Sequence, residues 1–155
     1  MAAKSSKSPI LVPVDFSAHS ASALLKACEL AECTKQQLIV LHVVHDPGEM
    51  PGYYAKGMKK KKQLVRIEDA AKDMFDEFIA DLQKKHPDVP ILKKIETMLV
   101  VGIPVTRILQ VIEKKSPSMV VMGSQGRTGL SHLLMGSKAE HLVRMCPVPI
   151  TIVKA

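Results

Sequence analysis

Tryptophan is absent from this chain, and two tyrosines with three phenylalanines complete its aromatic content. Because 46% of the residues are still hydrophobic, the core has to be built from aliphatic side chains. Long apolar runs are missing as well. No stretch approaches the ~20 residues of a membrane-spanning helix. Residues 1–8 are polar and lack the apolar segment of a secretory signal, so a flexible N-terminal tail is expected there, ahead of a single domain over 9–155. Cysteine is scarce: Cys28, Cys33 and Cys146 are an odd number without metal-ligand spacing, which suits a reducing cytoplasm. The six histidines are scattered. His42 and His45 come nearest to a pair, but three residues apart on a strand they face opposite sides, and no zinc-like cluster exists. Signatures of nucleotide-processing enzymes are also missing: there is no G-x-x-x-x-G-K-[ST] and no G-x-G-x-x-G. Residues 122–126, M-G-S-Q-G, are not a G-x-S-x-G elbow, so Ser124 is not read as a hydrolase nucleophile.

What is present is a chain of 155 residues with a net charge of +7, large enough to bury a core without disulfides or metals. The charge permits anionic partners, and composition does not choose among a nucleotide, a nucleic acid and a lipid surface. Short apolar runs alternate with helical periodicity along its whole length. Residues 10–14 (ILVPV) read as a buried strand. From 17 to 33, apolar residues at Ala21, Leu24, Leu25, Cys28 and Ala31 predict a helix, with Ser17 as N-cap. Residues 37–44 are nearly all apolar, as a strand covered on both faces must be. Residues 45–57 hold two prolines and three glycines and read as a loop.

A long amphipathic helix is expected from about 59 to 85, burying Leu64, Ile67, Ala71, Met74, Phe75, Phe78 and Leu82. At its start Lys59 to Lys62 sit badly with the positive end of a helix dipole. We therefore expect the helix to begin later, with these lysines in a loop acting as a lid. A third strand over 91–100, polar at Lys93 and Lys94, suits a sheet edge. A helix over 103–115 opens on Pro104 and turns Val105, Ile108, Leu109 and Ile112 inward. A fourth strand spans 119–122, a fourth helix 137–145 and a last strand 148–154. Alternation of this kind predicts an α/β fold with a parallel sheet covered on both faces.

One stretch carries most of the chemistry. Glycines follow the fourth strand at 123, 126, 129 and 136, and Ser137 with Glu140 fits an S-x-x-E capping box at a helix start. A strand, a glycine-rich loop and a helix N-terminus make a cradle for phosphate, because unpaired N–H donors and the positive end of the dipole converge there. The spacing Gly123-x2-Gly126-x9-Gly136-Ser137 resembles the G-x2-G-x9-G-[S/T] pattern of the nucleotide-binding branch of the universal stress protein family. Residues 10–17 (ILVPVDFS), 40–43 (VLHV) and 146–153 (CPVPITIV) resemble the same family's first, second and last strands. The resemblance covers nearly the whole chain.

It implies a three-layer α/β/α, Rossmann-like fold of the adenine nucleotide alpha-hydrolase type, with four main helices around a five-stranded parallel sheet of order 3-2-1-4-5. The crevice where strand order reverses would then lie between the first and fourth strands. It implies a ligand, ATP or else AMP or ADP, with Mg²⁺ carried on the phosphates. Gly126, Gly136, Ser137 and the Lys138 backbone would hold phosphate, and Met122 and Gly123 would lie against ribose and adenine. Asp15 would act at the nucleoside end, Val43 through its backbone at the adenine edge, and Pro13 beside Val14 as a wall. Plainer readings stand beside these: turn glycines and an ordinary cap, a carboxylate favoured by the next helix, core packing for Val43, and solvent-facing cations at Arg127 and Lys138.

Relatives of the fold that adenylate a substrate carry S-G-G-x-D-S or H-x-G-H near the first strand, and residues 14–19 (VDFSAH) match neither. Hydrolysis of a phosphoanhydride needs a positioned water and a base, and no base is evident. The sequence therefore favours a cytoplasmic nucleotide-binding stress-response module, with at most slow ATP hydrolysis, whose bound state a protein partner reads. A basic nucleic-acid binder and an adenylate-handling enzyme rank below it. The family pairs its last strand across a two-fold axis, which implies a homodimer through Val148 to Val153.

Overall fold

Alternation between two buried faces along the first strand organises the molecule. In the computed structural model, which describes residues 7–45, 60–126 and 135–155, strand β1 (Ile10–Pro13) lies at the middle of the sheet. Ile10 and Val12, with Val14 just beyond the strand, enter one core cluster, while Leu11 enters another. A strand covered on both faces has to be apolar throughout, and Ile10, Leu11 and Val12 are fully shielded.

Among the described residues, β1 is followed by α1 (Ala18–Thr34), β2 (Leu38–Val44), α2 (Lys60–Lys85), a 3-10 turn (Pro90–Lys93), β3 (Glu96–Val101), α3 (Pro104–Lys115), β4 (Met119–Gly123), α4 (Ser137–Met145) and β5 (Ile150–Val153). The strands are all parallel, in the order β3-β2-β1-β4-β5. This is the expected three-layer arrangement. Residues of α1 and α2 pack with Ile10, Val12 and Val121 on one face; residues of α3 and α4 pack with Leu11, Ile39, Leu41 and Val120 on the other. Each fully buried leucine, such as Leu24, Leu41 or Leu142, contributes about 2 kcal/mol through loss of apolar surface to water. Helix α1 buries Ala23, Ala27 and Ala31 at helical spacing, and such small side chains bring its backbone close to the strands beneath.

Local chemistry sets the ends of the helices. The Ser17 hydroxyl accepts a hydrogen bond from the Ser20 N–H at 3.2 Å, capping α1 as expected. Lys35, at φ 57°, closes it in the left-handed conformation. Helix α3 carries Pro104 in its first turn and ends at Ser116, at φ 46°.

Several expectations are corrected. Residues 90–93 form a 3-10 turn, so the third strand is only Glu96–Val101. Pro90 fixes its own φ at the start of that turn, and Leu92 is drawn into the core at 1% exposure. The strand does lie at the sheet edge, but Lys93 and Lys94, the residues that suggested this, fall before it. Helix α2 is helical from Lys60, so Lys60, Lys61 and Lys62 belong to the helix and not to the preceding loop; Lys59 and the Leu64 side chain lie outside the described residues. Met74 is 40% exposed, and Ile79 is buried in its place. In α3, Val111 is buried and Leu109 only partly so. The last strand is confined to Ile150–Val153, because Pro147 and Pro149 have no N–H to give to a ladder.

Candidate functional site

In a doubly wound sheet the crevice forms outside the carboxyl ends of the strands where strand order reverses. Here β1 has β2 on one side and β4 on the other, so the turn after β1 and the loop after β4 meet at that point. The β1 turn is tied down closely. Val14 N–H donates to the Leu41 carbonyl at 2.8 Å, and His42 Nδ1 lies 2.8 Å from the Val14 carbonyl. Ser17 N–H donates to Asp15 Oδ1 at 3.1 Å, a local side-chain turn that aspartate makes readily. Between them, Phe16 holds φ 67°, a conformation that is strained for a bulky side chain. Packing compensates: the Phe16 ring stacks on His42 with centroids 4.2 Å apart and sits 5.8 and 5.5 Å from the rings of Phe75 and Phe78.

On the β4 side the glycines serve space and not backbone conformation. Among the described glycines, positive φ occurs only at Gly102. A Cβ at Gly123 would lie 2.8 Å from both the carbonyl carbon and Cβ of His19 in α1, so this glycine lets the helix pack onto the strand. A Cβ at Gly126 would lie 2.6 Å from Asp15 Oδ2. That close approach brings the carboxylate of the β1 turn to the glycine loop. Ser124, 3% exposed, ties the region together: its N–H donates to the Val153 carbonyl at 2.9 Å and its carbonyl accepts from Gly136 N–H at 2.7 Å. Its hydroxyl lies 3.4 Å from His19 Nδ1.

The start of α4 differs from the expected capping box. The N-cap is Gly136, which has no side chain to cap with, and Ser137 is the first helical residue. Glu140 lies in the first turn, and its N–H donates to the Gly136 carbonyl at 2.9 Å. A helix leaves its first N–H groups without intrahelical acceptors, and an uncapped start presents them with the positive end of the dipole. A position Cβ-distant from Gly136 lies 3.9 Å from Gly126 N, so loop and helix start share one rim. The arrangement has two chemically distinct ends. Backbone donors at Gly126 and the α4 start attract an anion, whereas the Asp15 carboxylate repels one and accepts hydrogen bonds from hydroxyl or amino groups.

The structure thus brings Asp15, Gly126, Gly136 and Ser137 together, with Lys138 exposed in the first turn of α4. Pro13 pairs with Leu41 inside the sheet. Val43 and Met122 sit late on β2 and β4 and pack on the α3–α4 face; β1 separates their strands. Arg127 lies outside the described residues, as does most of the expected lid. Phe16, His19, His42 and Ser124 support the site without having been singled out for it. A left-handed phenylalanine leaves no mark in a sequence, and the His42 contact joins residues 28 positions apart. Among the described residues no group of three or more His, Cys, Asp or Glu could hold a metal ion, and no helix is long and apolar enough to cross a membrane.

The family model of the universal stress proteins matches residues 8–154, and the chain belongs to that family. Universal stress protein MJ0577 of Methanocaldococcus jannaschii is 26% identical, over 94% of this chain and 93% of its own. Its solved structure superposes with a TM-score of 0.72, covering 97% of both chains. A universal stress protein from Archaeoglobus fulgidus, solved in complex with dAMP, superposes with a TM-score of 0.58 at 20% identity, covering 96% of this chain and 99% of its own. A further universal stress protein structure, in complex with cAMP, gives a TM-score of 0.57 at 21% identity, over 97% of this chain and 98% of that one.

Proposed function

We propose that the protein is an adenine-nucleotide-binding universal stress protein that takes ATP, or else AMP or ADP, in the crevice between β1 and β4. The observation that carries this reading is the Gly136-started, side-chain-free N-terminus of α4 facing Gly126, with Asp15 on the other side of that glycine. Phosphate oxygens meet the N–H groups of Gly126, Ser137 and Lys138 beside Gly136, whose own N–H is held by the Ser124 carbonyl, and Arg127, next in the chain after Gly126, carries positive charge. Asp15 accepts from the ribose hydroxyls, Met122 and Gly123 flank the sugar and base, and Pro13, Val14 and the Val43 backbone bound the adenine end. The dAMP and cAMP complexes of two proteins with this fold support an adenine ligand. Mg²⁺ enters on the phosphates, since that ion keeps most of its waters and takes few protein ligands.

In this reading hydrolysis is at most slow, and the bound state itself is the signal, read by a protein partner in the cytoplasm. The edge strand β5, with its outer backbone groups unpaired in the sheet, joins two copies in a homodimer. Sedimentation equilibrium at micromolar concentration tests that directly: a monomeric mass contradicts it. The nucleotide reading is tested by denaturing freshly purified protein, identifying released small molecules, and titrating the chain with ATP by calorimetry. Release of an adenine nucleotide, or saturable ATP binding, is expected. Neither being observed defeats the reading, whereas oligonucleotide binding that falls steeply with salt in its place would favour the nucleic-acid alternative.

A further inference from the structure

Asp15 is held from both sides by one side chain, and that side chain belongs to another strand. Residue 14 precedes it and residue 16 follows it, and His42 of β2 engages both. His42 Nδ1 lies 2.8 Å from the Val14 carbonyl. A carbonyl oxygen only accepts, so Nδ1 is the protonated ring nitrogen and donates this bond. The same imidazole stacks on Phe16 at 4.2 Å with an interplanar angle of 28°, supporting a residue whose φ of 67° is unfavourable by itself. The Val14–Asp15 peptide is therefore fixed at its oxygen by His42, with its N–H 3.4 Å from the Ser20 hydroxyl.

We propose that His42 is a positioning residue for the nucleoside end of the site. It contacts no ligand; through the Val14 carbonyl and the Phe16 ring it sets the direction in which Asp15 presents its carboxylate beside Gly126. The proposal rests on the nucleotide reading above and adds the residue that makes the Asp15 contact specific in geometry. The hydrogen bond carries the larger share, because a part-buried carbonyl that loses its donor turns to find another, and the peptide turns with it.

Two substitutions separate the two contacts. His42→Asn keeps an N–H donor where Nδ1 stands and removes the ring; His42→Phe keeps a ring against Phe16 and removes the donor. Titration of the full chain with ATP and Mg²⁺ by calorimetry is expected to show H42N within about threefold of wild type. H42F is expected to lose about tenfold, the effect of one hydrogen bond of this class. An H42F protein that binds like wild type, or an H42N protein that loses as much as H42F, overturns the proposal while the nucleotide reading stands. A wild type that fails to bind overturns both. If H42F does not fold, the wild type decides by ¹⁵N resonances of the imidazole at pH 8. A protonated Nδ1 whose signal moves when ATP is added is the expected result. A ring protonated at Nε2 alone, or an Nδ1 signal indifferent to ATP, overturns the proposal.

Discussion

Three glycines of the site, changed one at a time to alanine, should fail in three different ways. At Gly123 the added methyl would lie 2.8 Å from the His19 carbonyl carbon and 2.9 Å from its oxygen. These are backbone atoms of α1 and cannot swing aside, so the helix has to lift. Overpacking of a rigid neighbour costs about 2 kcal/mol, which in a chain of this size lowers Tm by roughly 4–8 °C. At Gly126 the methyl meets Asp15 Oδ2 at 2.6 Å, the end of a side chain that can rotate away. Stability should change little, but the carboxylate must move by about 1 Å to reach ordinary contact, and ATP affinity should fall on the order of tenfold through the misplaced hydrogen bond. At Gly136 the methyl finds 3.4 Å to Gln125 Cα and to the Ser124 carbonyl, a tight contact without collision, so the expected cost is that of a poorer N-cap, about 1 kcal/mol. Differential scanning calorimetry and ATP titration on the three variants give the assay. A G123A protein as stable as wild type, or a G126A protein that loses stability in step with affinity, refutes the assignment of these glycines to packing and to Asp15 respectively.

Other consequences are simpler. Gly136→Ser supplies the side-chain cap that α4 lacks; thermal unfolding should hold steady or rise slightly while ATP affinity falls, because the hydroxyl occupies a donor that phosphate needs. Ser17→Ala removes the cap of α1 and should cost about 1 kcal/mol, read as a lower urea midpoint with unchanged m-value. Burial, and then Glu32 and Glu29, push the Cys28 thiol from 9.0 up to about 12. Iodoacetamide at pH 8 should therefore label exposed Cys33 long before Cys28. Since the folded value lies above the unfolded one, the contribution of Cys28 is whole below pH 9 and is lost as pH rises toward 12. An alkaline fall in stability that Cys28→Ala reduces is expected.

The fold was legible because strands buried on both faces need uninterrupted apolar runs, and residues 10–14, 37–44 and 119–122 are such runs. Errors arose where a short apolar run had two uses. Ile91 and Leu92 look like strand, yet a turn set by Pro90 places Leu92 in the core just as well. At the site, the glycine spacing singled out the loop after β4 and suggested conformational freedom as its reason. In the folded chain the reason is space, for α1 at Gly123 and for Asp15 at Gly126. Ser137 and Glu140 formed a credible cap pair, but Gly136 takes the N-cap position and Ser137 is already the first helical residue. His42 and Phe16 had no local signature, since their roles exist only once β1 and β2 are side by side.

The central claim, that backbone donors of Gly126 and the α4 start hold the phosphates while Asp15 holds the nucleoside, is tested most directly by amide ¹H–¹⁵N spectra recorded during an ATP titration. The account predicts the largest shifts at Gly126, Gly136, Ser137 and Lys138, with a second group at Asp15 and Val43. Saturating ATP that leaves these amides unmoved, or moves instead those of α3 and the β3 edge, would contradict it.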